Sequence, residues 1–259
     1  MKKITKLIGS SLVLIGIVFS ATPGAFAAKS NDSTGNVTPQ WGVSVHGTGF
    51  VKGTYNWAIA RQFNEANAQS IAAADVATDT SLYTGGYPLS HDEYHFNMNS
   101  SSLSAVGTSS DSRVQKSSEY FSLAVNKYNK ANTDYANVVA YINQTYPSGA
   151  SKDAALQTAR NDRATARLKA LNDLGTALHA WQDVFAHGNV QTMTQHNSYK
   201  APEDPSTSII DDPNYDINWS TGTVTKPGYE FGSRYNATKS KTISMLDLFK
   251  SSVGYNPND

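Results

Sequence analysis

The chain has 259 residues, 21 basic and 21 acidic side chains, six histidines and no cysteine. That length allows one substantial core or at most two small domains. The charge balance excludes the broad basic footprint of a nucleic-acid binder, and the missing thiols exclude disulfides, so a core or bound ions must hold the fold.

Lys2, Lys3 and Lys6 precede an apolar run from Leu7 to Phe19, and Ala25-Phe26-Ala27 supplies the small residues of a cleavage site. Residues 1–27 therefore read as a signal peptide. The expected protein is secreted and extracellular, with no transmembrane segment in the mature chain, since the run is too short for a span. Residues 28–40 are polar and aperiodic and read as a propeptide or linker; Trp41 opens a different composition, and 41–259 reads as the functional domain. Removing residues 1–40 takes away four basic residues (Lys2, Lys3, Lys6, Lys29) and one acidic residue (Asp32). That leaves 17 basic against 20 acidic, a net charge of about −3.

The spacing of Trp57, Ile59, Ala60, Phe63 and Ala66 predicts one helix from Tyr55 to Asp75, with the Asp75 carboxylate at its end. Residues 77–113 are rich in Ser, Thr, Gly and Asn and read as a long connection. It carries His91 and His95, and His95, between Tyr94 and Phe96, is the better candidate ligand. A helix is expected from Ser117 to Ile142, and Pro147-Ser148-Gly149 ends it. A longer helix follows from Ala154 to His187, with Leu156, Leu171, Leu174 and Leu178 on its apolar stripe. Residues 190–232 read as a second irregular region with four prolines, and Ser233–Phe249 as a closing helix. The expected fold class is all-α, a multi-helix bundle with long irregular loops.

The chemistry concentrates in Leu178-His179-Ala180-Trp181-Gln182-Asp183-Val184-Phe185-Ala186-His187. Steps of four advance about 40° around a helix, so His179, Asp183 and His187 share one face. Imidazole nitrogen and carboxylate oxygen are ligands for a zinc-like ion. A buried polar network without metal is the plainer reading of the same face. Beyond Leu174 the only formal charge on this helix is Asp183, and a carboxylate buried there requires a cation or hydrogen-bond donors.

With Trp41-Gly42-Val43-Ser44-Val45-His46-Gly47-Thr48-Gly49 following a stretch of propeptide length, the sequence resembles the zinc-dependent phospholipase C family of secreted bacterial enzymes and clostridial alpha-toxins. The resemblance implies a helical domain holding two or three zinc ions. It also implies a mature chain whose Trp41 amino nitrogen and carbonyl oxygen chelate zinc after cleavage behind Gln40. Asp75 would be the base for the attacking water, Asp183 a carboxylate bridging two metals, and His95, His179, His187 and His196 further ligands. The implied reaction is hydrolysis of a phospholipid at a membrane surface, by a protein expected to be a monomer, releasing diacylglycerol and a phosphorylated head group. Three positions depart from the family. Tyr55-Asn56-Trp57 stands where the family has a first-helix histidine, with His46 as a replacement; Asp183 and His187 are closer in sequence; and the family's late Glu is missing, with Glu203, Asp204 or no residue as the partner of His196. Fungal and plant single-strand nucleases resemble the same fold, which keeps nucleic acid as an alternative substrate. The altered ligand set keeps open a metal-stabilised, non-catalytic secreted binding protein.

Overall fold

A computed structural model describes residues 45–47, 53–80, 92–206, 208–227 and 232–258. The expected signal peptide, the propeptide, Trp41 and His91 lie outside these residues. Among the described residues there are six α-helices: α1 (Thr54–Ala60), α2 (Glu65–Thr80), α3 (Ser112–Thr145), α4 (Ala150–His187), α5 (Met193–His196) and α6 (Ser233–Val253). Two 3₁₀ turns (Asp92–Tyr94, Leu103–Ala105) and one antiparallel hairpin complete them. The hairpin joins β1 (Asp216–Asn218) to β2 (Thr223–Thr225), with Ile217 opposite Val224. The all-α class is what the structure shows, and no described helix is long and apolar enough to cross a membrane.

The helix expected over residues 55–75 is two helices. The chain breaks at Arg61-Gln62, where Gln62 takes a left-handed φ of 63°. It restarts where Asn64 Oδ1 accepts the backbone N–H of Asn67 at 2.9 Å, with Glu65 in the first turn. The restart matters because α2 then runs one turn past Asp75 and presents Asp79. Helices α3 and α4 start earlier than their apolar periodicity indicates, while α6 starts at Ser233 as expected. Asp111 caps α3 by accepting the Arg113 N–H, and α4 begins directly after Gly149.

Two apolar clusters flank α4. The larger packs Ile71 of α2, Tyr128 of α3, Leu171, Leu174 and Leu178 of α4, and Leu246 and Phe249 of α6. The smaller gathers Phe96, Val190, Ile209, Ile210, Tyr215 and Ile217 from the irregular regions. Its members sit beside His95 and Asp211 in the chain, so burying these apolar side chains fixes loops that have little regular hydrogen bonding of their own.

Gly175 lets α2 and α4 meet. A Cβ added there would lie 2.4 Å from the Ile71 carbonyl oxygen, 2.7 Å from Ala74 Cβ and 2.9 Å from the Asp75 amide nitrogen. These are mostly backbone atoms, so the helices themselves would have to separate. Alanine normally gains about 1 kcal/mol over glycine in a helix, but this overpacking costs about 1–3 kcal/mol. Gly175→Ala should therefore lower the urea midpoint of unfolding.

Candidate metal centre

Five imidazoles and four carboxylates converge on the second half of α4. His46, His95, His179, His187 and His196 are all buried, as are Asp75, Asp79 and Asp183; the Asp211 side chain is 20% exposed. The surrounding elements divide the task. Helix α2 supplies Asp75 and Asp79, the turn after Asp92–Tyr94 supplies His95, and α4 supplies His179, Asp183 and His187. The end of α5 brings His196, and the loop before β1 brings Asp211.

Asp75 is a hydrogen-bond hub. Thr54 Oγ1 donates to its Oδ2 at 2.6 Å and Gln182 Nε2 at 3.0 Å, while His46 Nδ1 and His179 Nδ1 lie 3.0 and 3.2 Å from its Oδ1. These donors use the roughly four lone-pair positions of a carboxylate. The Gln182 amide is oriented by its donations to Thr54, Asp75 and Thr242, which turn its Oε1 toward His46 Nδ1 at 2.6 Å. In neutral rings the proton of His46 and of His179 therefore sits on Nδ1, and both Nε2 lone pairs point away from Asp75. His187 follows the same pattern, with Nδ1 donating to the His95 carbonyl at 2.8 Å. Carboxylates and carbonyls behind an imidazole fix the tautomer of metal-binding histidines in this way.

The freed lone pairs face other acceptors. His179 Nε2 lies 3.2 Å from His95 Nδ1, 3.2 Å from Asp183 Oδ2 and 3.4 Å from Asp79 Oδ1. His95 Nδ1 lies 2.9 Å from Asp183 Oδ2 and 3.7 Å from Asp79 Oδ1. Four ligands held at zinc-like bond lengths in a tetrahedron stand about 3.3 Å apart, close to these edges. Asp79 Oδ1, Asp183 Oδ1 and His46 Nε2 are buried without a hydrogen bond, and the last two are 3.4 Å apart. A second group places His187 Nε2 and His196 Nε2 each 3.0 Å from Asp211 Oδ1. Buried acceptors facing acceptors need a shared cation. Among the described residues, three groups could hold a metal ion: Asp79-His95-His179-Asp183, His46-Asp75-His179 and His187-His196-Asp211. The saturated bonding of Asp75 favours the first and third.

The structure brings His95, His179, Asp183, His187 and His196 together, and His46 joins them. Tyr55 does not; it packs half-buried against the larger core. Glu203 and Asp204 are not at the site. Glu203 is exposed, hydrogen-bonded by Tyr215 and by Lys226 at 2.7 Å, and Asp204 accepts from Ser206. Asp211 takes the place facing His196. Asp79, Gln182 and Asp211 are the residues that sequence reasoning misses. Asp75-x-x-x-Asp79 repeats the spacing of His179-x-x-x-Asp183, a signal hidden by ending the helix at residue 75. Nothing local distinguishes Asp211 from its neighbouring acids.

Compared with family models, curated proteins and solved structures, the chain gives no match.

Without metal, the site must hold protons. Burial opposes a charge on His46, as does His179, yet Asp75 and Asp183 outweigh them and raise the ring to about 10. Burial likewise opposes charging His179, which Asp183 and Asp79 hold well above its ordinary value, and His196, which Asp211 raises. Burial lifts Asp79 to about 7 and lowers His95. Against the cost of burial, His179 and His187 hold Asp183 well below the usual carboxylate range, and His196 lowers Asp211.

These raised values stabilise the metal-free fold at low pH. The contribution of His46 is complete below about 6.5 and is lost as pH rises through about 10; that of Asp79 is complete below 3.8 and lost through about 7. Protein treated with chelator should accordingly melt lower at about pH 9 than at about pH 6.5, as thermal melts at the two pH values would show. Metal uptake near neutrality should release protons, measurable by calorimetry in buffers of different ionisation enthalpy.

Proposed function

We propose that the chain is a secreted zinc-dependent phosphodiester hydrolase, acting as a phospholipase C on phospholipid. The observation that carries the metal-dependent reading is the buried set Asp79, His95, His179 and Asp183 beside a second His-His-Asp group. Cysteine-free His/Asp donors suit zinc, and adjacent sites suit phosphoryl chemistry. The choice of phospholipid rests on the sequence resemblance that begins at Trp41.

Asp79, His95, His179 and Asp183 would hold one ion, and His187, His196 and Asp211 another. Asp183 would contribute Oδ2 to the first set, and its Oδ1 lies 3.4 Å from His46 Nε2. When bound, zinc supplies charge for the phosphoryl oxygens and acidifies water. The protein's own part is orientation and proton handling. Asp75 fixes His46 and His179 from behind and, being saturated with donors, has no lone pair left for the base role that the resemblance implies, while Asp79 Oδ1, which has no hydrogen bond, is left to serve as a ligand.

Mature protein beginning at Trp41 and loaded with zinc should release a phosphorylated head group from phosphatidylcholine vesicles. Retaining residues before Trp41 should lower that rate, and Asp183→Asn should lower both zinc content and rate, the latter by about 10²-fold or more. Zinc-loaded protein that leaves every phospholipid intact overturns the phospholipase reading, and loss of single-stranded polynucleotide in the same assay would assign the nuclease alternative. Survival of both zinc and activity in Asp183→Asn overturns the metal centre.

A further inference from the structure

Asp211 reaches His187 and His196 from an irregular loop, yet it must be placed as firmly as a ligand on a helix. The structure shows what places it. Arg234, in the first turn of α6, is buried and spreads its guanidinium over four backbone carbonyls. Nη1 donates to Ile210 O at 2.8 Å and Ala186 O at 2.7 Å; Nη2 donates to Asp212 O at 3.1 Å and, at 2.5 Å, to Tyr215 O; Nε also reaches Tyr215 O at 3.0 Å. Ile210 and Asp212 flank Asp211 on either side, and Ala186 immediately precedes His187. One rigid planar group therefore sets the backbone of both partners of the 3.0 Å His187–Asp211 approach.

The arginine is itself aimed. The Asp216 carboxylate accepts the backbone N–H groups of Ser233 and Arg234 at 2.7 and 3.1 Å, which ties the start of α6 to β1. The guanidinium also lies 5.9 Å from the Trp219 ring, whose atoms would stand 2.3 Å from a Cβ at Gly188, at the end of α4. Lysine cannot reproduce the fork, because an ammonium carries three donors from a single point.

We propose that Arg234 is a positioning residue for the His187-His196-Asp211 group, acting by fixing the separation of the α4 terminus and the Asp211 loop. This rests on the reading that the group holds an ion. The test compares zinc and cobalt(II) binding by wild type, Arg234→Met, Arg234→Lys and Asp211→Asn, using elemental analysis after dialysis and the cobalt absorption spectrum. Arg234→Met should lose the same ion that Asp211→Asn loses, with affinity lower by about 10- to 100-fold. It should keep the spectrum of the Asp79-His95-His179-Asp183 ion, and Arg234→Lys should fall between. Wild-type binding by Arg234→Met beside a deficient Asp211→Asn overturns the positioning role alone. Equal weakening of both ions in Arg234→Met overturns it too, since that is general destabilisation. A full metal complement in Asp211→Asn overturns the ion reading beneath it. Should Arg234→Met fail to fold, Arg234→Lys decides, and unchanged affinity there overturns the proposal.

Discussion

Four carboxylates meet five imidazoles in the interior, and this unfavourable concentration of lone pairs is the constraint the rest of the structure serves. An isolated buried carboxylate is costly, and two whose oxygens lie within 4.8 Å of each other, as those of Asp79 and Asp183 do, are costlier still. Two kinds of cation relieve it, protons on the rings or metal between the ligands. They compete for the same atoms, so the centre's charge, its stability and its capacity for metal are one equilibrium.

The helices make that concentration geometrically possible. Close approach of α2 to α4 at Gly175 puts two i,i+4 pairs face to face, Asp75/Asp79 against His179/Asp183. The pairs do different work because their partners differ. Asp75 is saturated by Thr54, Gln182 and two imidazole N–H groups, whereas Asp79 Oδ1 has no hydrogen bond. One carboxylate therefore orients ligands, and the other is left able to be one.

The end of α4 is held from two further directions. Arg113 forms a buried pair with Asp111 and donates to the carbonyls of Asp183 and Gly188, while Arg234 takes Ala186 and the Asp211 loop. Both guanidinia place positive charge at a helix C-terminus, where the backbone dipole favours it. Breaking a buried pair of this type typically costs about 3–5 kcal/mol, because the remaining charge loses its partner. The long irregular segments can thus carry ligands: the smaller apolar cluster and the two arginines give them the rigidity that a strand or helix would otherwise supply.

Local sequence determined where most helices run, though not the break at Gln62 or the starts of α3 and α4, since apolar spacing acts over a few residues; it also determined the ligand face of α4, since steps of four project one way on any helix. His95 was legible from its apolar neighbours. Where α2 stops depended on the restart at Asn64 and on packing against α4, and with it the choice between Asp75 and Asp79. Asp211 was chosen over Glu203 and Asp204 by contacts between segments far apart in the chain: Arg234 and the smaller core bring one acid inward and leave the others in solvent. A carboxylate becomes a ligand through which donors reach it and which do not, and that is settled only when distant parts of the chain have packed.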